Sequence, residues 1–166
     1  MSQITLRGNP INTAGTLPPV GAATPAFSLT KGDLSEVTNA DLTGKKVVIN
    51  IFPSVDTAVC ATSVRTFNQR AGDLPDTVVL CVSADLPFAQ GRFCGAEGLT
   101  NVTTASEFRD HAFGDTFGVR MVDGPLRGLL ARAVVVLDES GTVIHSELVP
   151  EIASEPDYDA AIAVLS

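Results

Sequence analysis

The run Val47-Val-Ile-Asn-Ile-Phe52 constrains the fold more than any other part of the chain. It is apolar and β-branched without alternating, so a strand built from it must be covered on both faces. Thr77–Ser83 and Ala133–Leu137 read as two more apolar strands. Between the first two lies a stretch of helical character, from about Ala58 to Ala71, ended by Asp73-Leu-Pro-Asp76. Strands alternating with helices support an α/β sandwich around a mixed sheet.

The remaining elements fill in that plan. Ile4–Leu6 and Ile11–Thr13 flank Gly8-Asn9-Pro10 and predict an N-terminal β-hairpin. Ala26–Leu29 predicts a strand, Asn101–Thr104 a short strand, and Glu107–Phe113 a short helix. Leu86–Gly98 predicts a helix weakened by Gly91, Gly95 and Gly98. Thr142–Leu148 pairs with Ala133–Leu137 across Asp138-Glu-Ser-Gly141, and a final helix runs from a capping box at Ser154-x-x-Asp157 to Leu165. With 166 residues, 45% of them hydrophobic, the chain suits one compact domain over 1–166.

Charge and cysteine usage narrow the function. A net charge of −8 without any Lys/Arg cluster argues against nucleic acid, whose phosphates reward basic patches. Met1–Arg7 lacks the basic start and apolar core of a signal peptide, and nothing approaches a transmembrane span. Three cysteines, an odd count, disfavour a structural disulfide framework and suit a reducing cytoplasm. There, cysteines serve redox or metal chemistry, or fill the core. His111 and His145 have no ligand spacing around them, and no C-x-x-C, H-E-x-x-H, Walker or G-x-G-x-x-G motif is present. No metal, nucleotide or flavin cofactor is implied.

Cys60 is the chemically pointed residue. It stands at the start of the predicted helix, where unpaired backbone N–H groups and the helix dipole favour a thiolate, the nucleophilic form. Taken alone, a cysteine in a helix is more often a small buried hydrophobe. Arg132 by itself reads as a surface arginine at a strand end, Thr57 as an N-cap, and Asp56 as a partner of the helix dipole. Cys81, in the middle of Val78–Val82, reads as core filler.

The spacing Pro53-x-x-x-Thr57-x-x-Cys60 resembles the active-site signature of the peroxiredoxins. Asn50–Asn68, Cys81–Gln90, Arg92–Gly98, Ala131–Asp138 and Glu155–Ala160 extend the resemblance, in order, to the bacterial thiol peroxidases, an atypical two-cysteine branch. Ala58 departs from that pattern, which has glycine there; alanine is the better helix former. The resemblance implies a thioredoxin-like fold, with Cys60 attacking the peroxide and Arg132 and Thr57 assisting it. Pro53 would shield the sulfur, and Cys94 would resolve the sulfenic acid through a Cys60–Cys94 disulfide. It further implies reduction of hydrogen peroxide and organic hydroperoxides, recycling by thioredoxin, and a homodimer. Phe52, Phe88 and Phe93 are candidates for an apolar pocket wall. The glycines around Cys94 predict that its segment melts locally to let the two thiols meet. A redox-sensing or relay protein and a thioredoxin-like disulfide carrier are the alternatives, the latter weakened by the missing C-x-x-C.

Overall fold

The computed structural model describes residues 1–165. Its centre is a seven-stranded sheet in the order β4-β3-β7-β6-β5-β8-β9. The strands are β3 (Ser28–Lys31), β4 (Glu36–Thr38), β5 (Lys46–Ile51), β6 (Thr77–Ser83), β7 (Thr103–Ser106), β8 (Ala133–Leu137) and β9 (Val143–Leu148). β5, β6 and β7 run parallel, joined by helices α1 (Ala58–Ala71) and α2 (Pro87–Glu97), while β3, β4, β8 and β9 add antiparallel edges. Helices α3 (Ala112–Thr116) and α4 (Tyr158–Ala163) complete the chain. This is the thioredoxin-like arrangement of a mixed sheet flanked by helices.

The period of two along a strand explains why the apolar runs do not alternate. Val47, Ile49, Ile51, Leu80, Val82, Ala133, Val135 and Leu137 face one core, shared with the N-terminal hairpin and α3. Val48, Phe52, Val79, Cys81, Val134 and Val136 face the other, covered by Val64 and Phe67 of α1, Phe93 of α2 and Ala161 of α4. Each fully buried side chain of this kind contributes about 1.5–3 kcal/mol. An unpartnered polar residue at any position of these strands would be buried on one face or the other, and the buried Asn50 side chain accordingly donates to the Ser63 hydroxyl.

Several boundaries differ from the sequence reading. The hairpin forms between β1 (Gln3–Leu6) and β2 (Asn9–Asn12) as a separate two-stranded sheet. Its turn is Arg7–Gly8, both at positive φ, so Asn9 and Pro10 belong to the strand. Two left-handed residues give the turn whose twist matches paired strands. The strand expected at Ala26–Leu29 begins at Ser28, which pairs with Thr38, and that at Asn101–Thr104 begins at Thr103, which pairs with Leu80, so both starts follow pairing rather than local pattern. The helix expected over Glu107–Phe113 lies instead at Ala112–Thr116, because the Glu107 side chain is buried as a hydrogen-bond acceptor. The last helix starts at Tyr158, capped by Asp157, whose carboxylate accepts from the Ala160 N–H; Ser154 caps nothing. The short β4 and the 3-10 turn at Asn39–Leu42 carry too few apolar residues to announce themselves.

Candidate active site

The site forms where the parallel strand β5 ends and the antiparallel β8 begins, at the carboxyl edge of the sheet. Ligands gather at such points because neighbouring connections leave in opposite directions. Phe52-Pro53 leaves β5, a tight turn follows, and α1 starts at Ala58. The turn is held internally: the Thr57 N–H donates to the Ser54 carbonyl at 3.2 Å and the Thr57 hydroxyl to the same carbonyl at 3.1 Å. Thr57 therefore occupies the N-cap position without making the side-chain cap bond. Its hydroxyl is spent on the loop that precedes the helix.

Register brings Arg132 here from far along the chain. Ala133 pairs with Ile51, so the residue before Ala133 falls beside Phe52, at the start of α1. Arg132 is 2% exposed, not the surface arginine its sequence position suggests. Its Nε donates to the Ile152 carbonyl at 2.8 Å and its Nη2 to the Cys60 sulfur at 3.2 Å. Among the described residues its Nη1 has no partner and no carboxylate pairs with it. Cys60 is fully buried behind this group, in the third position of α1.

A cavity of about 460 Å³ opens in front of Arg132, walled by Pro53, Thr57, Val59, Leu126 and Ile152 among others. Four of the five residues singled out in the sequence thus converge: Pro53, Thr57 and Arg132 on the cavity wall, and Cys60 at the guanidinium. None of Phe52, Phe88 and Phe93 lines it. Phe52 is consumed by the core, Phe93 packs under α2, and Phe88 is exposed to solvent. Leu126 and Ile152 supply the apolar wall instead, and nothing in their local sequence pattern marks them out. Asp56 is exposed and pairs with Arg92 of α2 at 3.3 Å.

Cys94 is the residue the fold leaves apart. It is a half-buried free thiol on α2, packed against the same core as Cys60, with its ionisation pushed above its ordinary range by burial. Cys81 is also free and lies wholly buried in β6, where burial pushes it up to about 12. A thiol so placed is inert. No group of three or more His, Cys, Asp or Glu among the described residues could hold a metal ion.

The Redoxin family matches residues 19–162. The chain belongs to that family. Within it, this redoxin is 62% identical over 165 residues to the thiol peroxidase of Mycobacterium tuberculosis (strain ATCC 25618 / H37Rv), covering 99% of both chains. The thiol peroxidase of Mycobacterium bovis is equally similar. A peroxiredoxin-like protein from Aquifex aeolicus superposes with a TM-score of 0.94 at 38% identity, covering 99% of this chain and 96% of the other. The fold also matches the thiol peroxidase of Chromobacterium violaceum with a TM-score of 0.91 at 21% identity, over 98% and 94% of the two chains. The redoxin has no helix among its described residues long and apolar enough to cross a membrane.

Proposed function

We propose that this redoxin is a thiol-dependent peroxidase in which Cys60 reduces the peroxide and Cys94 completes the cycle. The observation that carries it is the buried Arg132 guanidinium facing the Cys60 sulfur with no carboxylate among the described residues to neutralise it. A buried cation costs several kcal/mol unless a negative group answers it, and the sulfur is the group within reach. The same guanidinium has an Nη1 without a partner among the described residues and borders the cavity, so it can also donate to an oxygen brought there.

The steps balance without a cofactor. The Cys60 sulfur attacks the distal peroxide oxygen in line with the O–O bond. That bond breaks, an S–O bond forms, and the departing oxygen leaves as alcohol or water after taking a proton. Arg132 stabilises the charge on that oxygen while Pro53 keeps water from the sulfur. The Cys94 thiolate then attacks the sulfenic sulfur, expelling hydroxide and forming the disulfide. A thioredoxin-type dithiol returns both cysteines to thiols by exchange. The apolar wall of Leu126, Ile152 and Val59 suits organic hydroperoxides beside hydrogen peroxide.

Two further proposals accompany this reading. A homodimer is expected, checked by light scattering of the reduced protein, where a monomer mass rejects it. The cytoplasm, which keeps thiols reduced, is the expected compartment, checked by cell fractionation.

The deciding experiment is a non-reducing peptide map after one equivalent of an organic hydroperoxide. A Cys60–Cys94 crosslink, absent without peroxide, is the expected result. Cys60 halted as sulfenic or sulfinic acid with Cys94 free rejects the two-cysteine cycle, and an unoxidised Cys60 rejects the peroxidase.

A further inference from the structure

The segment Cys81–Gln90, prominent in the sequence, has no part in the chemistry above, yet its polar side chains join the two cysteine-bearing helices. Asp85 lies in the connection between β6 and α2 and holds the loop that precedes α1. Its carboxylate accepts the Ser54 hydroxyl at 2.7 Å and the Val55 N–H at 2.9 Å. The oxygen that takes the Val55 N–H also takes the Ser83 hydroxyl at 2.6 Å. Ser83 in turn accepts from Gln90 Nε2 at 2.9 Å, and the second Nε2 hydrogen goes to the Ala105 carbonyl of β7 at 2.9 Å. Gln90 and Ser83 are fully buried. The carbonyl can only accept, which fixes the amide orientation, and the amide in turn leaves the Ser83 hydrogen free for Asp85.

Phe93 and Cys94 pack α2 against the core that holds Cys60, but its charged ties to that side among the described residues are exposed ion pairs, Arg92–Asp56 and Arg65–Glu97, and such pairs are worth little. The Gln90–Ser83–Asp85 chain is buried at Gln90 and Ser83 and part-buried at Asp85, and hydrogen-bonded networks out of water act as units. It ends two and three residues from Thr57, on the backbone that sets the distance between Pro53 and Cys60.

We propose that Gln90, Ser83 and Asp85 are a relay through which docking of α2 positions the Cys60 loop for peroxide. Gln90, on the helix of the resolving cysteine, is thereby a positioning residue for the first step of the cycle. When α2 leaves its place to deliver Cys94, Gln90 withdraws, the Ser83 hydroxyl loses its orientation, and Asp85 loosens its hold on Ser54 and Val55. The Cys60 loop is then released in the same event and regains its reactive geometry when α2 docks again. The kinetic part of this inference rests on the peroxidase reading; the structural part does not.

The test uses full-length Gln90→Met, which keeps the volume and removes the donors, together with Ser83→Ala and the double variant. Asp85→Asn, which cannot accept on both sides, serves should Gln90→Met fail to fold. Amide exchange of Val55 is expected to rise at least about fivefold, while that of Val135 at the sheet centre stays unchanged. The rate of Cys60 oxidation by an organic hydroperoxide is expected to fall about tenfold, with disulfide closure undiminished. The double variant is expected to be no worse than the worse single one. Unchanged Val55 exchange, an unchanged oxidation rate, or effects that simply add each overturn the relay. A wild-type protein that consumes no peroxide rejects the peroxidase reading, and Val55 exchange then decides the relay alone: raised exchange upholds it, unchanged exchange overturns it.

Discussion

Arg132 is the residue whose environment says most about the chemistry. It lies in the interior with a backbone carbonyl and a sulfur as partners. Arg132→Met keeps much of the volume and removes every donor, and the rate of peroxide consumption is expected to fall about 100-fold, the usual cost of losing one preorganised donor. A stopped-flow trace within threefold of wild type, by about that margin, would separate Arg132 from the reaction. Cys81 makes the opposite case. It shares β6 with the relay serine but faces the α1 core, where it accepts a long contact from the Asn50 amide at 3.8 Å. Cys81→Ser is expected to leave turnover intact and to lower stability by about 1–2 kcal/mol, because a hydroxyl replaces a soft thiol in a closed space. Loss of turnover in a folded variant would overturn the assignment of Cys81 to the core.

At the scale of the element, α2 is built to be weak. Leu86 at its N-cap offers no side-chain acceptor, and two glycines, Gly91 and Gly95, sit inside it. Neither glycine is needed for close packing, since a Cβ added at either would meet nothing within 4 Å. Pro87 presets φ at the first helical position, and the C-terminal end is closed by a left-handed glycine. Gly98, at φ 67°, lets its own N–H reach the Gly95 carbonyl and the Leu99 N–H reach the carbonyl of Cys94. Gly91→Ala and Gly95→Ala are each expected to stabilise the folded helix by roughly 0.5–1 kcal/mol. Disulfide closure should slow correspondingly, while the preceding oxidation of Cys60 keeps its rate. Closure as fast as wild type in the double alanine variant would remove local melting from the cycle.

The Cys94 thiol adds a pH dependence to the same helix. Burial raises its ionisation above the ordinary value of 9.0, so the docked helix favours the neutral thiol. Docking stability from this source is complete below pH 9.0 and is lost as the pH rises beyond it. Limited proteolysis of the reduced protein should therefore cut within residues 87–97 more readily at pH 10 than at pH 7. Equal resistance at both would contradict the linkage.

Across the whole molecule, the N-terminal hairpin supports the site from outside. Glu151 accepts the Gly8 N–H at 2.9 Å and the Ala153 N–H at 2.8 Å, and these backbone donors hold its carboxyl down at about 2. The Ile152 N–H donates to Thr5 at 2.9 Å, and the Ile152 carbonyl receives Arg132. A depressed carboxyl contributes stability above its ordinary value of 4.5 and loses it as the pH falls towards about 2. We expect one cooperative thermal transition, as for a single domain. Its midpoint should decline through that acid range less steeply in Glu151→Gln than in wild type. Parallel declines in the two proteins would remove Glu151 as the cause.

Much of this architecture was legible in the chain. The central strands, α1 and the Pro53–Thr57–Cys60 cluster follow from patterns that are local, or that are doubly buried and so uninterrupted by polar residues. Short strands and short helices begin away from their sequence-based positions, because Ser28, Thr103 and Ala112 open their elements where a partner strand or the buried Glu107 carboxylate requires it. The pocket wall was misassigned for a similar reason: an aromatic residue advertises burial, not which face of the core will take it. Sequence alone therefore determined the sheet's buried strands, the covering helix and the placement of Cys60 at that helix's start, since periodicity and short spacings are properties of neighbouring residues. Only the tertiary structure decided that Arg132 is buried against the sulfur, and that Gln90 and Ser83 reach the loop before it through Asp85. Those contacts depend on sheet register and crossover packing, which join residues that no local pattern connects.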